Sequence, residues 1–323
     1  MNFEDHNFNT KRKDPKISIV SSIDIFYYEF SYLIKFIIES KNFVITSKNN
    51  PLIKRFRSFK DNLSAKEKGY FCIEGTHLIE EFLKLRINPS KIIATEEWLI
   101  KNKYLINHLD LEIISEVSKE SLRSAVSTKN PDGVAAIVQK SAFKACTFDK
   151  EDDFILVLDR IQDPGNLGNL FRTALAAGVN KVLLGGGASP FNQKVIRSSC
   201  GSIFHLPFHR IEGNEEEIYD ELLDSLKVIS KKGFKIVLAI GNNKFSKKCP
   251  KPYWEYDWLK PTALILGNEG SGIHNKIQET FTETITIPHS ELVESLNVAC
   301  VAVPLLLERK RLILTSFSEN KSD

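Results

Sequence analysis

The residues of this chain whose types and spacing could do chemistry fall in three short stretches. Gly267-Asn268-Glu269-Gly270 follows the apolar run Ala263–Leu266, and Glu294-Ser295-Leu296-Asn297 comes after the run Ile285–Ile287 and Pro288. Upstream, Asp163-Pro164-Gly165-Asn166 follows the run Phe154–Leu158, and Arg172 lies six residues beyond Asn166. A carboxylate, a hydroxyl, two carboxamides, a guanidinium and the bare backbone of a glycine-rich turn fit a small-molecule cleft. In open α/β sheets, ligands sit beyond the carboxyl ends of the strands. Each residue also has a plainer use. Asn166, Ser295 and Asn297 suit helix capping. Glu269 suits the first turn of a helix, where the dipole favours negative charge. Arg172 suits a surface ion pair, and Gly267, Ile287 and Leu296 suit a turn and a core.

The elements that must position these groups are legible as alternating patterns. From Phe154 the chain reads strand Phe154–Leu158, helix Leu167–Ala177, strand Lys181–Leu184 and a glycine turn at 185–187. A helical stretch at 191–201, strand Ile203–Leu206, helix Glu215–Lys231 and strand Lys235–Ile240 follow. Short apolar runs of this length read as buried strands. Ile218, Leu222, Leu223, Leu226 and Ile229 recur at helical spacing, and Gly233 is placed to end that helix. Strands alternating with helices predict a mostly parallel sheet covered on both faces. The final apolar segment, Val293–Leu312, predicts a helix that Pro304 kinks or locally unwinds. Its apolar surface is broader than one core-facing stripe requires.

Upstream lies a second alternation: strand Tyr70–Glu74, helix Thr76–Leu85, strand Lys91–Ala94, helix Glu96–Asn107, strand Glu112–Ser115, helix Lys119–Val126 and strand Val134–Gln139. It predicts a small α/β domain. Its lead-in, 47–68, carries Lys48, Lys54, Arg55, Arg57, Lys60, Lys66 and Lys68 with Phe56 and Phe59 interleaved. Such a run suits a phosphate backbone. It equally suits a solvated helix whose Leu52, Phe56 and Phe59 face a core.

The three motifs, in this order and over about half the chain, resemble those of the SpoU/TrmH family of SPOUT RNA methyltransferases. The upstream domain is similar, less specifically, to ribosomal protein L30e and its RNA-binding relatives. The resemblance implies an α/β fold: a SPOUT domain with a trefoil knot over 154–314, preceded by an L30e-like substrate-binding domain over 47–140. A linker at 141–153 joins them, and 315–323 is a polar tail. It implies S-adenosylmethionine as cofactor and ribose 2′-O-methylation of structured RNA, ribosomal RNA ahead of transfer RNA. It implies a homodimer with cofactor sites near the subunit interface. Arg172 takes the place of the arginine that handles the target 2′-hydroxyl. Guanidinium is effectively always protonated, so clamping a phosphate is an easier task for it than acting as base. Glu269 matches the glutamate that supports this arginine, and Asn166 is expected to hold the loop and Arg172. Ser295 and Asn297 match the family's Ser-Leu-Asn. Gly267, Ile287 and Leu296 match cofactor-binding positions, and Lys54, Arg55 and Arg57 are candidates for RNA contact. His289, Glu291 and Ala299 depart from the usual Met, Gly and Ser. The alternative is an RNA-binding protein that has kept the fold without the activity. A dinucleotide-binding oxidoreductase wants G-x-G-x-x-G after its first strand, which 163–168 does not supply.

Composition sets looser bounds. The 323 residues allow about two domains. With 42% hydrophobic and 26% charged residues and a net charge of +3, the chain can bury a core, and nucleic-acid binding must rest on local charge. Five scattered cysteines without a C-x-x-C pair predict reduced thiols in a cytoplasmic protein and no metal site. His205 and His209 are separated by Pro207, which excludes a helical metal pair. No apolar run predicts a membrane span. Residues 1–46 read as an extension with a short amphipathic helix near 26–38, or as a start assigned too far upstream.

Overall fold

The computed structural model describes residues 44–60, 69–143, 152–241 and 250–319. The chain divides into two compact units, Met1–Val44 and Ile45–Asp323. The helix expected near 26–38 lies outside the described residues, as do Lys66 and Lys68. Both sheets belong to the second unit.

The first sheet has the strands β1 (Tyr70–Glu74), β2 (Lys91–Ala94), β3 (Ile114–Glu116) and β4 (Val134–Gln139). Their order is β1-β4-β2-β3, with β4 antiparallel to both neighbours and β3 parallel to β2. Helices α1 (Pro51–Ser58), α2 (Thr76–Leu83), α3 (Glu96–Lys101), α4 (Lys103–Ile106) and α5 (Lys119–Ala125) accompany it. Asn50 caps α1, accepting the Leu52 N–H at 2.8 Å, and Pro51 stands at the first turn, where its missing N–H costs nothing. Ile53, Phe56 and Phe59 are buried against Cys72, Ile93, Leu122 and Ile137. The helix expected over Glu96–Asn107 breaks in two at Asn102, a buried residue whose side-chain amide donates to the Trp98 carbonyl at 3.0 Å.

The second sheet has seven strands in the order β7-β6-β5-β10-β8-β11-β9, and all six pairings are parallel. They are β5 (Phe154–Asp159), β6 (Lys181–Gly185), β7 (Phe208–Ile211), β8 (Lys235–Ala239), β9 (Lys251–Pro252), β10 (Thr262–Leu266) and β11 (Thr284–Thr286). The helices are α6 (Pro164–Ala177), α7 (Gln193–Ser198), α8 (Ser202–His205), α9 (Glu215–Lys231), α10 (Asn275–Thr280) and α11 (Val298–Glu319). Every residue of β5, β6 and β10 is buried, which is why these strands read as unbroken apolar runs rather than alternating ones. At the α6–α7 crossing a side chain at Gly168 would start 2.0 Å from Ser198 Oγ, so glycine lets the two backbones meet.

Two expectations are corrected. Ile203–Leu206 is not a strand. Gly201 turns left-handed (φ 85°), Ser202–His205 forms a helical turn, and the strand is Phe208–Ile211. The apolar letters at 203–204 serve a different burial: Phe204 packs 5.8 Å from both Phe82 of the first domain and Phe143 just beyond it. With Phe71 and Phe191, 5.0 Å apart, these rings form an aromatic seam between the two sheets. Gln193 donates to the Cys72 carbonyl at 2.7 Å beside it. The last helix begins at Val298 rather than Val293, and it runs unbroken through Pro304. Ala302, Leu305, Leu306 and Arg309 are buried on the flanking turns, and this packing holds the helix across the missing N–H.

Candidate active site

Three strand ends build the site. Beyond β5, Asp163 caps α6 by accepting the Asn166 N–H at 2.8 Å, and Pro164 fills the first turn. Beyond β10, Gly267 opens a tight hairpin in which the Asn268 N–H donates to the Gly272 carbonyl at 3.1 Å and the reverse bond is 3.0 Å. A Cβ at Gly267 would lie 2.4 Å from the Gly272 carbonyl carbon and the Ile273 nitrogen. Only bare backbone fits there. Beyond β11, the stretch 288–297 is a loop that ends at Asn297, whose Oδ1 caps α11 by accepting from Ala299 N at 2.9 Å and Cys300 N at 3.3 Å.

The three ends are joined by side chains. Glu269 accepts from Gln162 N at 3.1 Å, Asp163 N at 3.2 Å and Asn166 Nδ2 at 3.1 Å. Asn166 Oδ1 in turn accepts from Asn297 Nδ2 at 3.0 Å. The result is one hydrogen-bonded line, Glu269–Asn166–Asn297, across the ends of β10, β5 and β11. Burial pushes the Glu269 carboxyl upward, but the Asn166 amide and the backbone donors of Gln162, Glu269 and Asp163 outweigh it, so its pKa lies below the ordinary glutamate value. It is a carboxylate at neutral pH.

Arg172 is exposed on α6, with Nη1 3.6 Å from the Cys200 sulfur. The expected support of Arg172 by Asn166 and Glu269 is absent among the described residues. Six residues along an α-helix is about 240° of rotation, so Arg172 and Asn166 leave α6 in different directions. Ser295 and Leu296 are exposed in the loop before the Asn297 cap, and Leu292 is 96% exposed. The Ile287 carbonyl accepts from His289 Nδ1 at 2.8 Å, which requires a proton on that nitrogen. Among the candidate RNA contacts, Lys54 is exposed, while the Arg55 guanidinium lies 5.2 Å from the centre of the Tyr70 ring. Arg57 braces α1 against α5, donating to Ser124 O, Ser124 Oγ and Lys48 O, each at 3.0 Å. His205 and His209 face different carboxylates, Glu81 and Glu221.

The sequence reading missed the latch behind this line. Asp159, fully buried at the end of β5, accepts from His274 N at 2.8 Å and Arg160 Nε at 3.1 Å. Asn268 Nδ2 donates to the Arg160 carbonyl at 2.9 Å. Both ends of the Gly267–His274 segment are thus clipped to β5. A lone carboxylate closing an apolar strand was the available signal. Lys194, paired with Asp163 at 2.9 Å, was also missed; it holds the Asp163 pKa below the ordinary value together with the Asn166 N–H.

A parallel α/β sheet with a polar line across its strand ends, carried beside a small α/β domain, defines a two-domain SPOUT-type architecture. Residues 153–307 match the SpoU rRNA Methylase family and residues 50–136 match the MRM3-like substrate binding domain. An uncharacterized tRNA/rRNA methyltransferase of Synechocystis sp. is 34% identical over 83% of this chain and 93% of its own. The 23S rRNA (guanosine(2553)-2′-O)-methyltransferase of Bacillus subtilis is 34% identical over 81% of this chain and 97% of its own. A crystal structure of an RNA 2′-O ribose methyltransferase superposes with a TM-score of 0.69 at 28% identity, covering 84% of this chain and all of that one. An AdoMet-bound rRNA methyltransferase from Sinorhizobium meliloti shares the fold, at 24% identity and a TM-score of 0.69 over 83% of this chain and 97% of that one. The chain belongs to the SpoU rRNA methylase family.

Proposed function

We propose that this protein transfers a methyl group from S-adenosylmethionine to a ribose 2′-hydroxyl of ribosomal RNA, in the cytoplasm. The observation that carries the reading is the line Glu269–Asn166–Asn297, which ties the three strand ends into one rigid surface. The 34%-identical relative named for 2′-O-methylation of 23S rRNA supports it.

The residues present fit the cofactor. Gly267 offers backbone with no room for a side chain, Ile287 lines the end of β11, and Leu296 with Leu292 gives exposed apolar surface in the following loop. Bound S-adenosylmethionine supplies an electrophilic methyl group. The chain supplies position and orientation, the larger part of what a protein can give an in-line displacement. Glu269 fixes the β5 and β10 loops, and Asn166 and Asn297 keep the third loop in register with them. Ser295 stands in that loop, where its hydroxyl can reach substrate. Arg172, exposed and loosely held, clamps the phosphate beside the target ribose in a charge-assisted pair. The ribose hydroxyl that takes the methyl group would lose its proton to solvent.

The domain at 47–140 binds the RNA, the domain at 154–314 carries the chemistry, and the knot of the family belongs to the latter. Lys54 is the freest of the three candidate RNA contacts; Arg55 and Arg57 are occupied within the domain. A second copy of the chain covers α11: Val303, Leu307 and Leu314 lie 42%, 39% and 59% exposed along it. A symmetric contact uses this patch twice. Calorimetric titration with S-adenosylmethionine tests the reading against a non-catalytic RNA-binding protein. Saturable binding at one site per chain supports the enzyme, and absence of binding overturns it.

A further inference from the structure

We propose that Arg197 is a positioning residue for methyl transfer: it fastens the turn that holds Arg172 to the first domain, so that Arg172 takes its place from that domain. The proposal rests on the RNA-methylating reading above and adds a residue that none of the three motifs includes.

Little holds Arg172. Among the described residues its guanidinium has one polar contact, Nη1 to the Cys200 sulfur at 3.6 Å. An exposed arginine has large rotamer freedom, so the place of that sulfur decides where the guanidinium waits. Cys200 is itself fixed by an unusual backbone. Its φ is 48°, left-handed for a residue that has a Cβ, and Gly201 follows at 85°. Such a conformation persists only where its surroundings over-determine it. Here the surroundings are two. On one side α6 meets the turn backbone to backbone: a Cβ at Gly168 would lie 2.6 Å from Val195 O and 2.8 Å from Ser199 N. On the other side lies the first domain. A Cβ at Gly201 would lie 2.7 Å from Glu81 Cβ and Cγ in α2, and His205 Nε2 stands 2.9 Å from Glu81 Oε2.

Arg197 ties this turn to the first domain through charge. It lies in the last turn of α7, three residues before Cys200, and its carbonyl accepts the Cys200 N–H at 3.1 Å. The Cys200 sulfur lies 3.7 Å from the same oxygen. The Arg197 guanidinium reaches out of the second domain, donating to Ser127 Oγ and lying 3.7 Å from Glu74 Oε2. Glu74 is buried and collects the N–H groups and hydroxyls of Ser127 and Thr128. Those four donors carry no charge; Arg197 is the cation beside them. A guanidinium against a buried carboxylate and its hydroxyl neighbour is a directional fixture, because charge-assisted bonds are short and geometrically demanding. Arg197 thus holds the first domain with its side chain and Cys200 with its carbonyl, and Cys200 holds Arg172. RNA bound on the first domain and the guanidinium that meets its phosphate share one frame.

The test is a double-mutant cycle of Arg197→Ala and Arg172→Ala in the full chain, with an unmodified 23S rRNA transcript as probe. The aromatic seam and the Gln193 bond to the Cys72 carbonyl remain in Arg197→Ala, and a thermal melt checks its folding. If it melts early, Ser127→Ala cuts the same tie from the first domain and takes its place in the cycle. Misplacing a group at a reacting centre costs up to about 10² in rate, and Arg197→Ala is expected to lower single-turnover transfer about tenfold at saturating RNA, with S-adenosylmethionine affinity within twofold. Arg197→Lys, which keeps a cation beside Glu74, is expected to recover most of that loss. In the Arg172→Ala background Arg197→Ala is expected to change the rate less than twofold, since residues that act as one do not add. A second tenfold loss in that background, or no loss beside an intact Arg172, overturns the proposal. Salt dependence gives an arm free of catalysis. One phosphate contact contributes about 0.7–0.9 to the slope of log affinity against log salt, so either single variant is expected to lower it by about 0.8 and the double variant by the same amount. A double variant that lowers it by about 1.6 shows Arg197 meeting RNA on its own account and overturns the proposal. If the unmodified protein binds the transcript but transfers no methyl group, the reading of activity fails, and the slopes still decide on Arg197.

Discussion

Replacing Asn166 with Ala removes the middle of the line that joins the three strand ends. Two hydrogen bonds go: Asn166 Nδ2 to the Glu269 carboxylate at 3.1 Å, and Asn297 Nδ2 to Asn166 Oδ1 at 3.0 Å. A bond to a charged acceptor contributes about 1.5–3 kcal/mol and a neutral one about 0.5–1.5 kcal/mol. Both groups are partly open to water, so the lower ends apply, and the sum is about 2 kcal/mol. Helix α6 keeps its start, because Asp163 still accepts the residue-166 N–H. Glu269 keeps the Gln162 and Asp163 amides, so the β5–β10 junction holds while the β11 loop loses its register. If that register is needed only when the methyl group moves, 2 kcal/mol is about a 30-fold loss of rate. The assay is single-turnover transfer of labelled methyl to rRNA at saturating S-adenosylmethionine, beside a thermal melt. A rate within threefold of the unmodified protein refutes the role given to the line.

The geometry carries three further expected outcomes. Gly267→Ala drives a Cβ into the Gly272 and Ile273 backbone, and it is expected to weaken S-adenosylmethionine binding at least tenfold by calorimetry; unchanged affinity removes Gly267 from the cofactor site. Arg172→Ala is expected to lower transfer by about 10²–10³, the usual cost of one donor at a reacting centre, while cofactor affinity stays within twofold. Near-normal single-turnover rates in that variant remove Arg172 from the mechanism. The unmodified protein is expected to sediment at equilibrium as twice its 36.7 kDa chain, and Val303→Glu with Leu307→Glu to sediment as the single chain. An active 36.7 kDa monomer contradicts the proposed interface.

Sequence period carried the fold where burial and period agree. The unbroken apolar runs of β5 and β10 gave a parallel sheet, because strands covered on both faces have no polar side to show. It failed at Ile203–Leu206, where Phe204 packs on Phe82 of the first domain rather than on sheet neighbours, and a 204–82 ring contact has no local signature. The site residues were legible as types at strand ends, but their wiring was not. Asn166 and Arg172 look adjacent in a motif, yet helical phase separates them, and Glu269 serves the first of the two. Arg57 looked like one more cation in a basic run, since a bond to a residue 67 positions away cannot be read from its neighbours. Pro304 predicts a kink or local unwinding from propensity alone, whereas the burial of Leu305, Leu306 and Arg309 that holds the helix depends on distant packing partners.

The most direct test of the central claim is chemical. Purified protein is incubated with S-adenosylmethionine and unmodified rRNA, the RNA is digested to nucleosides, and the products are identified by mass spectrometry. The account predicts one new 2′-O-methylated nucleoside, formed in proportion to S-adenosylhomocysteine and lost in the Arg172→Ala variant. A methyl group on a base, or no methyl transfer with rRNA and cofactor both bound, contradicts it.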